Sequence, residues 1–168
     1  MALTRRHICT GFMAMTLAAC GFKPRQPMAY DFKVIYVPPT PSALLTELKR
    51  GLAAGAQVEV LQDPRQGERA DLSFDLLQEL RDKVVIGRTS TGGVREFQLR
   101  LRVRFRVRDK AGIERIPETE LLQQRDMSFI ETNVLAKEQE EELLYRNMQT
   151  DVVQQILLRL ARLRPNGG

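Results

Sequence analysis

The sequence predicts an α+β fold: a two-layer sandwich in which one mixed, mostly antiparallel sheet carries two helices packed on one face. Three observations lead there. Phe97, Leu99, Leu101, Val103, Phe105 and Val107 alternate with Gln98, Arg100, Arg102, Arg104, Arg106 and Arg108, a period of two that puts every arginine on one side of a strand, whereas a helix would scatter them. A second alternating segment, residues 71–86, precedes it across Thr91-Gly92-Gly93. Two further segments carry single apolar stripes at helical spacing, so two helices are available to cover the apolar side of the sheet.

From the N-terminus, residues 1–19 read as an export signal. Arg5, Arg6 and His7 form a short basic start, residues 8–17 carry no charge, and Leu17-Ala18-Ala19-Cys20 follows. Ten helical residues rise about 15 Å, half of a hydrocarbon core of about 30 Å, so this stretch does not span a membrane by itself. The small residues before Cys20 suit a signal peptidase, and the motif resembles the lipobox of bacterial lipoproteins, in which Cys20 becomes the acylated first residue. An ordinary signal peptide with an incidental cysteine is the alternative; Arg5-Arg6 fits a twin-arginine signal poorly. By the same resemblance, Gly21 in place of Asp favours the outer membrane. Two or more acyl chains, at about 0.8 kcal/mol per buried methylene, anchor stably to a membrane.

Processing before Cys20 also removes His7, the single histidine, and Cys9, and lowers the net side-chain charge from +5 to +3. No Ser-His-Asp triad, Cys-His pair, histidine-bearing metal site or intrachain disulfide can then be built. Acid–base work by two carboxylates stays open, yet no pair of acids stands out. The expectation is a protein with no catalytic residues, no metal and no cofactor. Nucleic acid is not an expected partner of an exported chain in which 6% of residues are aromatic.

Residues 20–29, with Lys23-Pro24-Arg25-Gln26-Pro27, read as a lipidated tether, and residues 30–164 as one domain, the size that a chain of 168 residues supports. Phe32 to Val37 is a first strand, closed by Pro38-Pro39. Thr40-Pro41 is expected to cap a helix carrying Leu44, Leu45, Leu48 and Leu52 and ending before Gly55. Val58 and Val60 begin a second strand, so the order strand, helix, strand suggests a right-handed parallel crossover. Residues 63–67 read as a loop. In residues 71–86 six of eight even positions are apolar while the odd ones carry most of the charges, which predicts a long strand with an even apolar face. Arg88 to Gly93 is the hairpin turn, Asp109 to Gly112 a second turn, and Glu118 to Phe129 a weaker strand. After Thr132 or Asn133 as cap, Leu144, Met148, Val152, Ile156, Leu160 and Leu163 mark the last helix. Glu138 and Glu140 to Glu142 lie toward its start and Arg159, Arg162 and Arg164 at its end, which suits the helix dipole. Residues 165–168 form a tail.

The arginine strand admits two readings. Guanidinium groups at period two invite an anion-binding face. Alternatively, a hairpin turning near Ser90 and Thr91 pairs residues whose numbers sum to about 181. That places Arg102 opposite Glu79 and Arg106 opposite Asp75, with Glu118, Glu120 and Asp126 on the other flank. Such cross-strand pairs contribute about 0.2–1 kcal/mol each, and this ion-paired reading is favoured. Arg88 and Arg95 flank the turn outside the ladder, and Lys137 sits just inside the last helix beside its acids.

Four segments are similar to one family: Leu-Ala-Ala-Cys-Gly-Phe at 17–22, Arg-Glu-Phe-Gln-Leu-Arg-Leu-Arg-Val at 95–103, Gln-Arg-Asp-Met-Ser-Phe at 124–129, and Val-Leu-Ala-Lys-Glu-Gln-Glu-Glu-Glu-Leu-Leu-Tyr-Arg-Asn-Met-Gln at 134–149. Together they resemble the LPS-assembly lipoprotein LptE family, most specifically in the last segment. The resemblance implies a non-enzymatic outer-membrane lipoprotein that plugs a large β-barrel translocon, as its heterodimer partner, and helps deliver lipopolysaccharide to the cell surface. It implies two helices on one side of a sheet. By position, Lys137 matches a basic residue linked to LPS contact in the family, with Arg88 or Arg95 as a second on the hairpin. A barrel lumen is polar, which suits a plug with an acid and arginine face. The competing reading, resting on the basic balance alone, is a free periplasm-facing lipoprotein that binds an acidic glycan or protein.

Overall fold

In the computed structural model, which describes residues 28–54, 58–129 and 133–163, the elements run β1 (Val34–Tyr36), α1 (Ala43–Ala54), β2 (Glu59–Leu61), a 3-10 helix (Pro64–Arg69), β3 (Leu72–Arg88), β4 (Val94–Asp109), β5 (Glu114–Ser128) and α2 (Val134–Ala161). The expected signal peptide, Cys20, most of the tether, Thr132 as a cap and the 165–168 tail lie outside the described residues. The sheet order is β2-β1-β3-β4-β5. β1 runs parallel to both β2 and β3, and the three long strands are antiparallel. Both helices bury their stripes against one face, which gives the expected α+β sandwich. No described helix is long and apolar enough to cross a membrane.

The core lies where α1 and α2 meet the odd face of β4. Leu99, Leu101, Val103, Phe105 and Val107 are fully buried there with Leu44, Leu48, Leu52, Met148, Val152 and Ile156. Phe74 stacks on Phe105 at 5.4 Å between centroids. The helices approach closely at Gly51, where an added Cβ would lie 2.6 Å from Leu157 Cδ1. Gly92 (φ +89°) and Gly112 (φ +81°) supply the left-handed positions that the two hairpin turns require.

Several boundaries differ from the expectation, each for a local reason. Ser42, rather than Thr40, caps α1: its Oγ accepts from the Leu45 N–H at 3.1 Å. Residues 63–67 are not an open loop, because Asp63 accepts from the Arg65 N–H at 2.9 Å and Pro64 starts a 3-10 helix. β5 begins at Glu114, four residues early. Its poor alternation reflects an irregularity: Phe105 faces Thr119 but Val107 faces Ile116, so an extra residue sits near Pro117, on an edge strand where a missing N–H is tolerated.

The largest correction concerns β3. From Leu72 to Leu76 the pairing follows the expected sum of 181, with Asp75 opposite Arg106 and Leu76 opposite Phe105. Leu77 is then an extra residue, and Gln78 pairs with Arg104, Glu79 with Val103 and Leu80 with Arg102. A slip of one residue exchanges the faces of everything beyond it. Glu79, Arg81 and Lys83 therefore turn toward the helices. Leu80 and Val84 share rows with Arg102 and Gln98 on the open face. Leu80, Val84 and Ile86 are accordingly 40%, 38% and 44% exposed, not core residues, and Glu79 does not pair with Arg102.

Candidate functional site

On the open face the arginine ladder is matched by acids from both neighbouring strands. Asp75 Oδ2 accepts from the Nε of Arg106 and of Arg108, each at 2.9 Å. Arg106 also lies 3.6 Å from Glu114, Arg104 3.2 Å from Glu118 and Arg102 3.6 Å from Glu120. Arg100 donates to Gln98 Oε1 at 2.8 Å. The hydrogen bond to Asp75, more than any other influence, raises the Arg106 pKa above the ordinary arginine value. Four of the five guanidinium groups thus already hold carboxylates. A strand whose donors are spent in this way is a solubilising, register-setting surface rather than an open anion site.

The face exchange at Leu77 creates a second charged region, between β3 and the first half of α2. No residue of α2 before Tyr145 is buried, because residues 134–144 carry Glu138, Glu140, Glu141 and Glu142 and no continuous apolar stripe. Below them lie Arg81 and Lys83. Arg81 Nη1 is 3.4 Å from Glu142, and Lys83 Nζ is 2.5 Å from Glu141. Arg81 also sits 5.0 Å over the Tyr145 ring and Lys83 4.3 Å over the Phe97 ring, cation–π contacts that hold both cations in place. Tyr145 Oη donates to the Asp82 carbonyl at 2.8 Å. Burial raises the Tyr145 pKa, Glu141 adds to the rise, and Arg81 partly offsets it. A cleft of about 540 Å³ opens between these residues and Glu138.

The three basic residues singled out from the sequence gather at the end of the sheet where β3 turns into β4. Lys137, in the first turn of α2, donates to Ser128 Oγ at 3.2 Å and to Glu140 Oε2 at 2.7 Å, and its side chain is 16% exposed. It is therefore held, not free on the surface. Ser128 faces Glu96 across β4 and β5, and the next residue, Phe129, donates its N–H to the Arg95 carbonyl at 2.8 Å. Lys137 and Arg95 thus flank the same strand end. Arg88, at the end of β3, is exposed and donates from Nη1 to the Gly92 carbonyl at 3.1 Å, bracing the turn. Cys20 lies outside the described residues.

Arg81 and Lys83 went unnoticed in the sequence because an even apolar face assigns them to solvent. A signal was present. Leu76-Leu77 and Val84-Val85-Ile86 place apolar side chains on both parities, which a regular one-sided strand does not do.

Comparison with known proteins agrees with this architecture. Residues 32–160 match the family model described as LptE: Lipopolysaccharide-assembly. Uncharacterized lipoprotein B from Nitrosomonas europaea, solved by solution NMR, is 32% identical with a TM-score of 0.68 over 82% of this chain and 88% of its own. The rare lipoprotein B from Shewanella oneidensis (21% identity, TM-score 0.63, 76% of this chain and 92% of its own) and a minor lipoprotein from Acinetobacter baumannii (24%, 0.59, 80% and 93%) share the fold. A search of curated proteins finds no match. Sheet, helices and basic strand end all fall inside the matched stretch, and the chain belongs to the LptE lipopolysaccharide-assembly family.

Proposed function

We propose that the protein is a lipoprotein anchored in the outer membrane through acylated Cys20, on the periplasmic side. It assembles with, and plugs, the LPS-translocating β-barrel, and it binds lipopolysaccharide through Lys137, Arg88 and Arg95 without performing chemistry on it. The family match over residues 32–160 carries this reading. Lipoprotein relatives and the lipobox-like segment at residues 17–20 support the anchor. The gathering of Lys137, Arg95 and Arg88 at one strand end supports the binding site. Phosphates and carboxylates of LPS are met there by cations not spent in the ladder, each charge-assisted bond contributing about 1.5–3 kcal/mol. The ion-paired open face suits a polar barrel lumen.

The test is affinity purification from detergent-solubilised outer membranes followed by mass spectrometry. A stoichiometric barrel protein is expected; recovery of a lone monomer under mild detergent overturns the plug assignment. For the site, Lys137→Ala is expected to weaken LPS binding about tenfold, the loss of one charge-assisted contact, while circular dichroism stays unchanged. Unaltered binding would remove Lys137 from the site. Depleting the protein should reduce LPS at the cell surface, and an unaffected surface favours the free lipoprotein binding an acidic partner.

A further inference from the structure

Three consecutive glutamates of α2 each cover one cation. Glu140 holds Lys137 at 2.7 Å, Glu141 holds Lys83 at 2.5 Å and Glu142 holds Arg81 at 3.4 Å. Nothing apolar fastens this half of the helix: its buried residues begin at Tyr145, and Leu135 and Leu143 point to solvent at 69% and 50% exposure. The contact between this half of α2 and β3 is thus largely electrostatic, over a cleft of about 540 Å³, a size suited to a small charged group. The two β3 cations do not depend on the glutamates for their positions, because each rests on an aromatic ring, Tyr145 or Phe97. A preorganised cationic pair covered by a carboxylate-bearing strap has the form of a binding site occupied by an internal competitor.

We propose that the cleft between α2 and β3 is a second anion subsite, in which Arg81 and Lys83 take phosphate groups of an amphiphile and Glu141 and Glu142 are the built-in competitors that a ligand displaces. The inference rests on the LPS-binding reading above and extends that site by two residues and a gate. A phosphate monoester carries about −1.5 to −2 charge near neutrality and three acceptor oxygens, against one charge on each glutamate, so it outcompetes either carboxylate singly. Apparent affinity is reduced by the fraction of molecules in which the mask is closed.

The experiment is a titration of the detergent-solubilised full chain with LPS micelles, with the same LPS dephosphorylated and with inorganic pyrophosphate. Glu141→Gln/Glu142→Gln keeps shape and helix propensity but removes the competing charge, and is expected to bind LPS about three- to tenfold tighter, as when a masked fraction is released. Glu142→Gln alone, at a half-exposed position, should move in the same direction and keeps the test valid if the double variant folds poorly. Arg81→Gln/Lys83→Gln should bind about tenfold weaker. These differences should vanish with dephosphorylated LPS. Parent-level or weaker binding by natively folded glutamine variants overturns the proposal, as do differences that persist without phosphate. Pyrophosphate binding as tight as LPS overturns the amphiphile as the source of the phosphate. Binding by the parent chain that responds to Lys137→Ala but not to Glu141 and Glu142 sinks only the gate, whereas no LPS binding by any variant sinks both readings.

Discussion

Asp75 joins two guanidinium groups through a single oxygen, 2.9 Å from Arg106 and from Arg108, and its side chain is 22% exposed. Replacing it leaves two arginines side by side without their shared acceptor, so Asp75→Ala should lower the melting temperature more than Glu118→Ala, which frees only Arg104. Equal melting temperatures in calorimetry would show that the ladder is not coupled through Asp75. Tyr145 permits a second test at this scale. Its phenol donates to the Asp82 carbonyl at 2.8 Å, and Tyr145→Phe should cost about 0.5–1.5 kcal/mol in urea unfolding, the net value of such a bond. Because its pKa is raised above 10.0 in the fold, the neutral phenol is the stabilised form. Its contribution is complete below pH 10 and is lost as pH climbs through the folded value. Absorbance titration should show Tyr145 ionising later than an exposed tyrosine.

At the scale of elements, the extra residue at Leu77 decides which side of β3 is core. Leu80 and Val84 look like core residues in the sequence but share the open face with the arginines. Leu80→Ser should therefore shift stability by no more than about 0.5 kcal/mol, as ordinary surface changes do. Leu101→Ala, at a position with no exposure, should cost about 2–5 kcal/mol through lost transfer energy and the cavity left behind. A large cost at Leu80 in chemical denaturation would mean that β3 pairs in the regular register after all. The slip also explains the chemistry facing α2. The first half of that helix carries four glutamates and no stripe, so cations rather than Leu80 and Val84 lie beneath it.

For the whole molecule, the two ends of α2 are secured by different forces. From Tyr145 to Leu160 the helix is fixed by apolar burial against β4 and α1, which salt does not weaken. From Val134 to Leu144 it is held by ion pairs, which ionic strength screens. Amide hydrogen exchange should accordingly be faster over residues 138–144 than over 148–160, and added salt should widen the difference. Uniform protection along the helix would contradict this division. The same division leaves one end of the sandwich apolar and closed and the other, with Lys137, Arg95 and Arg88, charged and accessible to a ligand.

The sequence by itself determined the elements whose pattern depends on one chain segment at a time. The arginine strand, the leucine stripe of α1 and the apolar side of α2 follow from periods of 2 and 3.6 that local backbone geometry imposes. The ion-paired character of the ladder was legible too, since Asp75, Glu118 and Glu120 lie at the required separations. The site was legible only as residue types: Lys137, Arg88 and Arg95 could be named, but not that Lys137 is already held by Glu140 and Ser128. Only the tertiary structure decided which face of β3 meets the helices, and with it the placement of Arg81 and Lys83. A bulge belongs to a pair of strands: alternation within β3 reads the same whichever side is buried, and the choice is made by what α2 presents above it.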